Sequence, residues 1–95
     1  MLTGKQRAEL RKAANPLETV YYIGKDGIGD AVVRGVGEAL TARELVKVGC
    51  QESCPLTAAE AAAQLAQALG AESIQVIGRR FVLYKRNKKI DKYGI

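Results

Sequence analysis

Apolar positions recur along the chain in two patterns, one typical of helices and one typical of strands. Steps of three or four residues, as from Ile28 through Val32 to Val36, predict helices that bury one side. Short runs rich in Val, Ile and Tyr predict strands. The predicted helices cover about 3–14, 30–42 and 57–70, and the predicted strands cover about 18–23, 44–50, 73–77 and 81–85.

Local signals mark the ends of these predicted elements. Thr3 is a suitable N-cap for the first helix, and Thr57 with Glu60 forms the capping-box pattern at the start of the third. Gly70 suits the left-handed position that follows a helix. Helix starts and stops are therefore predicted from residues only a few positions apart.

The predicted order is α-β-α-β-α-β-β, which indicates an α/β protein. Helices between strands favour parallel neighbours, and the turn at Gly78 predicts an antiparallel hairpin of the last two strands. We therefore expect one compact domain with a mixed four-stranded sheet, in which the first three strands are parallel neighbours. Gly35 and Gly37 weaken the second helix by about 1 kcal/mol each relative to alanine, which indicates close packing on a neighbouring element.

Positive charge is concentrated at the two ends of the chain. The formal net charge is +5, and eleven of the fifteen Lys and Arg residues lie in residues 1–12 and 79–95. If the ends meet in the fold, they form one basic face, which is typical of a polyanion binder. Two other interpretations stay open: the basic ends aid solubility, or the chain is a basic adaptor domain that binds an acidic protein partner.

A Gly-x-x-Gly turn follows the first predicted strand and precedes the second predicted helix. Gly24 and Gly27 allow backbone N–H groups to approach a ligand closely, and Lys25 adds a cation. The helix start supplies further unpaired N–H groups, so the arrangement is typical of phosphate binding. Asp26 opposes simple charge attraction, and a plain strand-to-helix turn is the alternative interpretation.

The sequence contains no established enzyme motif. The P-loop and dinucleotide-binding glycine patterns are absent, and without histidine Cys50 has no evident base to activate it. We expect no catalysis and no cofactor, with a small nucleotide-binding enzyme as a rival. Cys50 and Cys54 alone do not make a conventional zinc site, and we expect two free thiols in a reducing cytosol.

Hydropathy and the positions of the aromatic residues bear on the location of the protein and on its partners. No apolar run approaches the ~20 residues needed to span a bilayer, so we expect a cytoplasmic protein without membrane or small-molecule partners. Phe81 is expected in the core. Tyr84 and one of the neighbours Tyr21 and Tyr22 are candidates to face outward and stack on nucleobases, because adjacent strand residues point to opposite sides.

Four blocks of sequence together resemble the bacterial YhbY-type CRM domain. They stand in the order and spacing of that family and cover about residues 2–86, which leaves 87–95 as a basic C-terminal tail that we expect to be loosely held. The blocks are Leu2-Thr3-Gly4-Lys5-Gln6-Arg7, Ile23-Gly24-Lys25-Asp26-Gly27-Ile28, Glu44-Leu45-Val46-Lys47-Val48 and Gln75-Val76-Ile77-Gly78-Arg79-Arg80-Phe81-Val82-Leu83-Tyr84-Lys85-Arg86.

The resemblance implies a fold like the C-terminal domain of a bacterial translation initiation factor. It further implies non-catalytic binding of rRNA in precursors of the large ribosomal subunit. The family's RNA-binding loop would fall on Gly24, Lys25, Asp26 and Gly27, in the manner of a KH loop. Its basic surface would fall on Lys5, Arg11, Lys12, Lys47, Arg79, Arg80, Lys85 and Arg86. Asp26 makes this loop less basic than the strongest versions, and the segment Cys50–Cys54 has no counterpart that we recognise.

Overall fold

A computed structural model describes residues 2–95, which contain three helices and four strands. The predicted α/β class and element order are confirmed, and none of the three helices is both long and apolar enough to cross a bilayer. The elements are α1 (Gly4–Ala14), β1 (Thr19–Ile23), α2 (Asp30–Arg43), β2 (Leu45–Cys50), α3 (Ala58–Leu69), β3 (Glu72–Ile77) and β4 (Arg80–Tyr84).

The helix ends follow the local signals in the sequence. Thr3 forms a capping box with Gln6 at the start of α1, and Thr57 forms one with Glu60 at the start of α3. Each threonine hydroxyl accepts the N–H three residues on, while the Gln or Glu side chain accepts the threonine N–H. Gly70 ends α3 with φ of 65°, the left-handed conformation that glycine adopts without strain.

The four strands form one mixed sheet in the order β1-β2-β4-β3. β1 and β2 are parallel neighbours as predicted, but the expectation that β3 is also their neighbour was wrong, because β4 lies between β2 and β3 and pairs antiparallel with both. Burial explains the order. β4 has four consecutive buried residues, so it requires cover on both faces and lies inside the sheet. β3 ends in the exposed residues Val76 and Ile77, so it suits the position of an outer strand.

Helices α2 and α3 cover one face of the sheet and enclose the larger part of the core. The close packing predicted from the glycines of α2 is present. Gly35 lies against Tyr21 of β1, because a Cβ there would be 2.5 Å from Cε2 of that ring. A Cβ on Gly37 would lie 3.0 Å from Cδ2 of Leu69 on α3. The fully buried members of this core include Ile23, Val36, Leu40, Val48, Leu65, Phe81 and Leu83.

Helix α1 covers only part of the opposite face. Its buried residues Leu10 and Ala14 pack with Leu45, Val82 and other residues in a second apolar cluster. The helix ends beside β2, where the Asn15 carbonyl accepts a 3.5 Å hydrogen bond from Nζ of Lys47. Beyond that point Tyr22 of β1 and Ile77 of β3 are exposed, so residues 2–95 leave this part of the face open.

The C-terminal tail is held by Glu44, a fully buried residue with φ of 65° between α2 and β2. Its carboxylate accepts the backbone N–H of Asn87 at 2.9 Å and that of Lys92 at 2.7 Å. Tyr93 packs edge-on against Tyr84, with ring centroids 6.3 Å apart. The expectation of a loosely held tail was therefore wrong, because its anchor lies more than forty positions earlier in the sequence.

Candidate nucleic-acid interface

The Gly-x-x-Gly segment forms a tight turn that projects its two central side chains into solvent. The Gly24 carbonyl accepts the Gly27 N–H at 3.1 Å, and Lys25 and Asp26 between them are exposed. Gly27 has φ of 66° and lies against Pro55, whose Cγ would be 3.4 Å from an added Cβ. The second glycine therefore has a conformational role whatever the turn binds.

The start of α2, directly after this turn, has no side-chain cap. Gly29 occupies the N-cap position and contributes no side-chain hydrogen bond, whereas α1 and α3 both begin with a threonine capping box. The first helical hydrogen bond of α2 is donated by the Val33 N–H to the Gly29 carbonyl at 3.1 Å. The N–H groups of residues 30–32 and the positive end of the helix dipole are thus available to an anion beside Lys25.

Backbone hydrogen bonds place two neighbouring segments beside the turn. The Gln51 N–H donates to the Ile23 carbonyl at 2.9 Å, and the Cys50 N–H donates to the Arg79 carbonyl at 2.7 Å. The ends of β1 and β2 and the β3–β4 turn therefore share one edge of the sheet. Arg79 and Arg80 are both exposed, so the β3–β4 turn brings two basic residues to the edge that carries the Gly-x-x-Gly turn.

Three more of the predicted cations, Arg11, Lys12 and Lys47, lie on the α1 side of this edge. Nε of Arg80 donates to Oγ1 of Thr19 at 3.1 Å, and Lys47 lies beside the last turn of α1. That last turn carries Arg11 and Lys12. The edge together with this adjoining surface therefore collects most of the predicted cations: Arg11, Lys12, Lys25, Lys47, Arg79 and Arg80.

The remaining predicted cations lie at the opposite edge of the sheet. Lys85 and Arg86 follow β4 and line a shallow cleft with Leu2 and the start of α1, which also carries Lys5. Arg86 forms a 3.5 Å ion pair with Asp91. The chain ends do meet, as Leu2 and the tail share one apolar cluster, but they meet away from the Gly-x-x-Gly turn. The predicted basic residues therefore form two groups rather than one face.

Only one of the three tyrosines considered for base stacking is suited to it. Tyr84 is 3% exposed, and burial, followed by the charge of Glu44, raises the pKa of its hydroxyl. The prediction that Tyr84 faces outward was wrong, because α1 and the tail cover that end of β4. Tyr21 packs against Gly35 in the core. Tyr22 is 51% exposed, and Phe81 is buried as predicted.

The two cysteines lie next to the turn as free thiols. Cys50 is buried, and this burial, together with a hydrogen bond to Cys54, raises the pKa of its thiol to about 11. A thiol with so high a pKa is a poor nucleophile at neutral pH. Within residues 2–95, no three His, Cys, Asp or Glu side chains are grouped to hold a metal ion.

Comparison with known proteins identifies the family. The profile of the CRS1/YhbY (CRM) domain matches residues 2–85, and the chain belongs to this family. Among curated proteins it is 38% identical over 89 residues to the Bacillus subtilis protein named "Probable RNA-binding protein YqeI", covering 94% of this chain and 93% of that protein. It is 35% identical over 94 residues to "Probable RNA-binding protein MJ0652" of Methanocaldococcus jannaschii, covering 97% of this chain and 69% of that protein.

A solved structure has the same fold. The solution structure of SAV1595 from Staphylococcus aureus is 36% identical in sequence and superposes with a TM-score of 0.78. The match covers 92% of this chain and 91% of that protein. The α/β fold with a mixed four-stranded sheet is therefore shared by a relative whose structure was determined independently.

Proposed function

We propose that this chain is a non-catalytic RNA-binding protein that associates with rRNA in cytoplasmic precursors of the large ribosomal subunit. The names of the Bacillus and Methanocaldococcus relatives support RNA as the partner. The observation that carries the proposal is the uncapped start of α2 beside Gly24–Gly27, where unpaired N–H groups meet the exposed cation of Lys25. A phosphate group supplies the acceptor oxygens that these N–H groups lack, and the acidic side chains beside them are Asp26 in the turn and Asp30 at the start of α2.

In this proposal the two groups of cations act differently. The turn and α2 hold one stretch of the phosphate backbone, and the cations at the same edge and on the adjoining surface contact neighbouring phosphates. Lys5, Lys85 and Arg86, at the opposite edge, add long-range attraction. If about five phosphates are neutralised, the logarithm of the affinity falls with the logarithm of the salt concentration with a slope near −3.5 on single strands.

Binding of purified protein to rRNA fragments tests the role of the turn. Lys25→Glu is expected to weaken binding and to make the salt slope less steep by about 0.7 for a lost single-strand phosphate contact. Its stability should change by less than about 0.5 kcal/mol, because the side chain is exposed. Lys88→Glu, an equal charge change in the tail, is the matched control. Equal affinities of the two variants would contradict the proposed role of the turn.

Gradient fractionation of cell lysate tests the ribosomal partner. The protein should migrate with large-subunit precursors and lose that position after nuclease treatment. The alternative function, a basic adaptor domain bound to an acidic protein, predicts a complex that survives nuclease. A nuclease-resistant complex would therefore replace the proposed function with the adaptor.

A further inference from the structure

A row of four residues, one from each strand, crosses the sheet next to the Gly-x-x-Gly turn. Each member pairs with the next across the strands, so all four point to the face that α1 covers in part. We name this the open row, because α1 ends beside Lys47, which lies two pairs before the row along β2. In the order β3, β4, β2, β1 the open row is Ile77, Arg80, Gly49 and Tyr22.

The aromatic ring of the open row lies close to the sheet because β2 contributes a glycine beside it. A Cβ on Gly49 would lie 3.1 Å from Cδ1 and Cε1 of Tyr22, so the ring lies across the glycine backbone. Tyr22 is nevertheless 51% exposed, and Ile77 at the far end is 61% exposed. The Cδ1–Cε1 side of the tyrosine ring is thus supported by the sheet, while about half of the residue contacts solvent.

Cations border the exposed ring on the sheet side. The Arg80 side chain crosses β2 and donates a hydrogen bond to Thr19 of β1. Lys47 of β2 is the residue that pairs with Thr19. A shallow cleft is lined by Tyr22, Thr19, Lys47 and Arg80 together with Leu17 and Glu18. Glu18 is the one carboxylate among these lining residues, so the cleft carries a net positive charge.

We propose that the open row binds one unpaired nucleotide of the RNA, with its base stacked on Tyr22 and its phosphate near Arg80 and Lys47. This inference rests on the proposed function and makes its ligand more specific. Aromatic rings stack on any base, and bordering cations neutralise the backbone, which is how single-stranded nucleic acid is held on sheet surfaces. Tyr22 lies two residues before Gly24, so an RNA strand bound at the Gly-x-x-Gly turn passes close to the ring.

The pattern of the open row favours a nucleotide over an apolar protein segment. Its exposed apolar side chains, Tyr22 and Ile77, are separated by Arg80 and Gly49, so they form no continuous apolar patch. A protein helix or strand would need such a patch to gain affinity from burial. A base requires only one ring and a nearby cation.

Two RNAs and three variants test the inference. The RNAs are one hairpin with a blunt end and the same hairpin with a short single-stranded extension. Wild-type protein should bind the extended hairpin more tightly, and Tyr22→Ala should lose about 5- to 150-fold in affinity for it, the range for one stacked base. Tyr22→Phe keeps the ring and should stay within about twofold of wild type, whereas Tyr22→Leu keeps apolar area without a flat ring and should behave like Tyr22→Ala.

A matched control and a direct contact measurement complete the design. Val76→Ala removes an exposed apolar side chain of β3 that neighbours Ile77 but pairs with the buried Phe81, and it should leave affinity unchanged. Ultraviolet crosslinking of bromouridine in the extension should attach to the peptide that contains Tyr22.

The outcomes separate this inference from the proposed function. Failure of wild-type protein to bind either RNA would overturn both. Equal binding of the two RNAs, with Tyr22→Ala and Tyr22→Leu unaffected, would overturn the inference alone and would leave the open row to a protein partner.

Discussion

Replacing Glu44 by glutamine tests whether this buried carboxylate fastens the C-terminal tail. The substitution preserves the shape of the side chain but leaves one oxygen where the carboxylate offers two. Both oxygens are used, one by the Asn87 N–H and the other by the Lys92 N–H. In Glu44→Gln the side-chain NH2 group therefore faces one of these two backbone N–H groups, and that backbone N–H loses its hydrogen-bond acceptor.

The magnitude follows from the hydrogen bonds that change. A hydrogen bond to a charged group contributes about 1.5–3 kcal/mol. Relief of the cost of burying a charge acts in the opposite direction, because Glu44 is fully buried and none of its contacts within residues 2–95 is an ion pair. We therefore expect the lower end, a loss of about 1.5 kcal/mol, which for a domain of this size lowers Tm by roughly 6–12 °C.

Urea unfolding followed by far-ultraviolet circular dichroism measures the stability, since the chain has no tryptophan. Hydrogen exchange at the amides of Asn87 and Lys92 measures opening of the tail, and both should exchange faster in Glu44→Gln. Glu38→Gln makes the same charge change at an exposed position of α2 and should shift stability by less than about 0.5 kcal/mol. Unchanged exchange at both amides, with stability equal to that of the control, would refute the anchoring role.

Two further predictions concern helix packing and alkaline pH. Gly35→Ala should be less stable than Gly37→Ala in urea unfolding. The new methyl group of Gly35→Ala would lie 2.5 Å from the Tyr21 ring, whereas that of Gly37→Ala would lie 3.0 Å from the flexible end of Leu69. Overpacking costs about 1–3 kcal/mol, and replacing glycine by alanine in a helix gains about 1 kcal/mol. A Gly35→Ala variant as stable as Gly37→Ala would contradict this packing. Stability should also fall as pH rises from 9.0 towards about 11, because burial raises the pKa of the Cys50 thiol and the unfolded chain releases that proton first. Cys50→Val should reduce this decline in urea titrations across that range, and an equally steep decline would exclude Cys50 as its source.

The elements that were predicted correctly depend on residues close together in sequence. The Thr3 cap, the capping box at Thr57 and the left-handed Gly70 each involve positions within one helical turn, so the sequence contains the whole interaction. The position of β3 and the attachment of the tail were not predictable in this way. β4 can pair with both β2 and β3, and only burial on both faces makes it central. The contacts of Glu44 with Asn87 and Lys92 span more than forty residues.

The candidate site likewise has one part that the sequence determines and one part that only the tertiary structure determines. The sequence by itself determined the Gly-x-x-Gly turn, its exposed Lys25 and its position before a helix, because these are neighbours in the chain. Strand order decided that Arg79 and Arg80 lie beside the turn while Lys85 and Arg86 lie at the opposite edge. Strand register decided that Tyr22 lies across Gly49 next to Arg80. Pairing between distant segments depends on how the whole core packs, so only the tertiary structure shows which of the candidate side chains can contact one ligand.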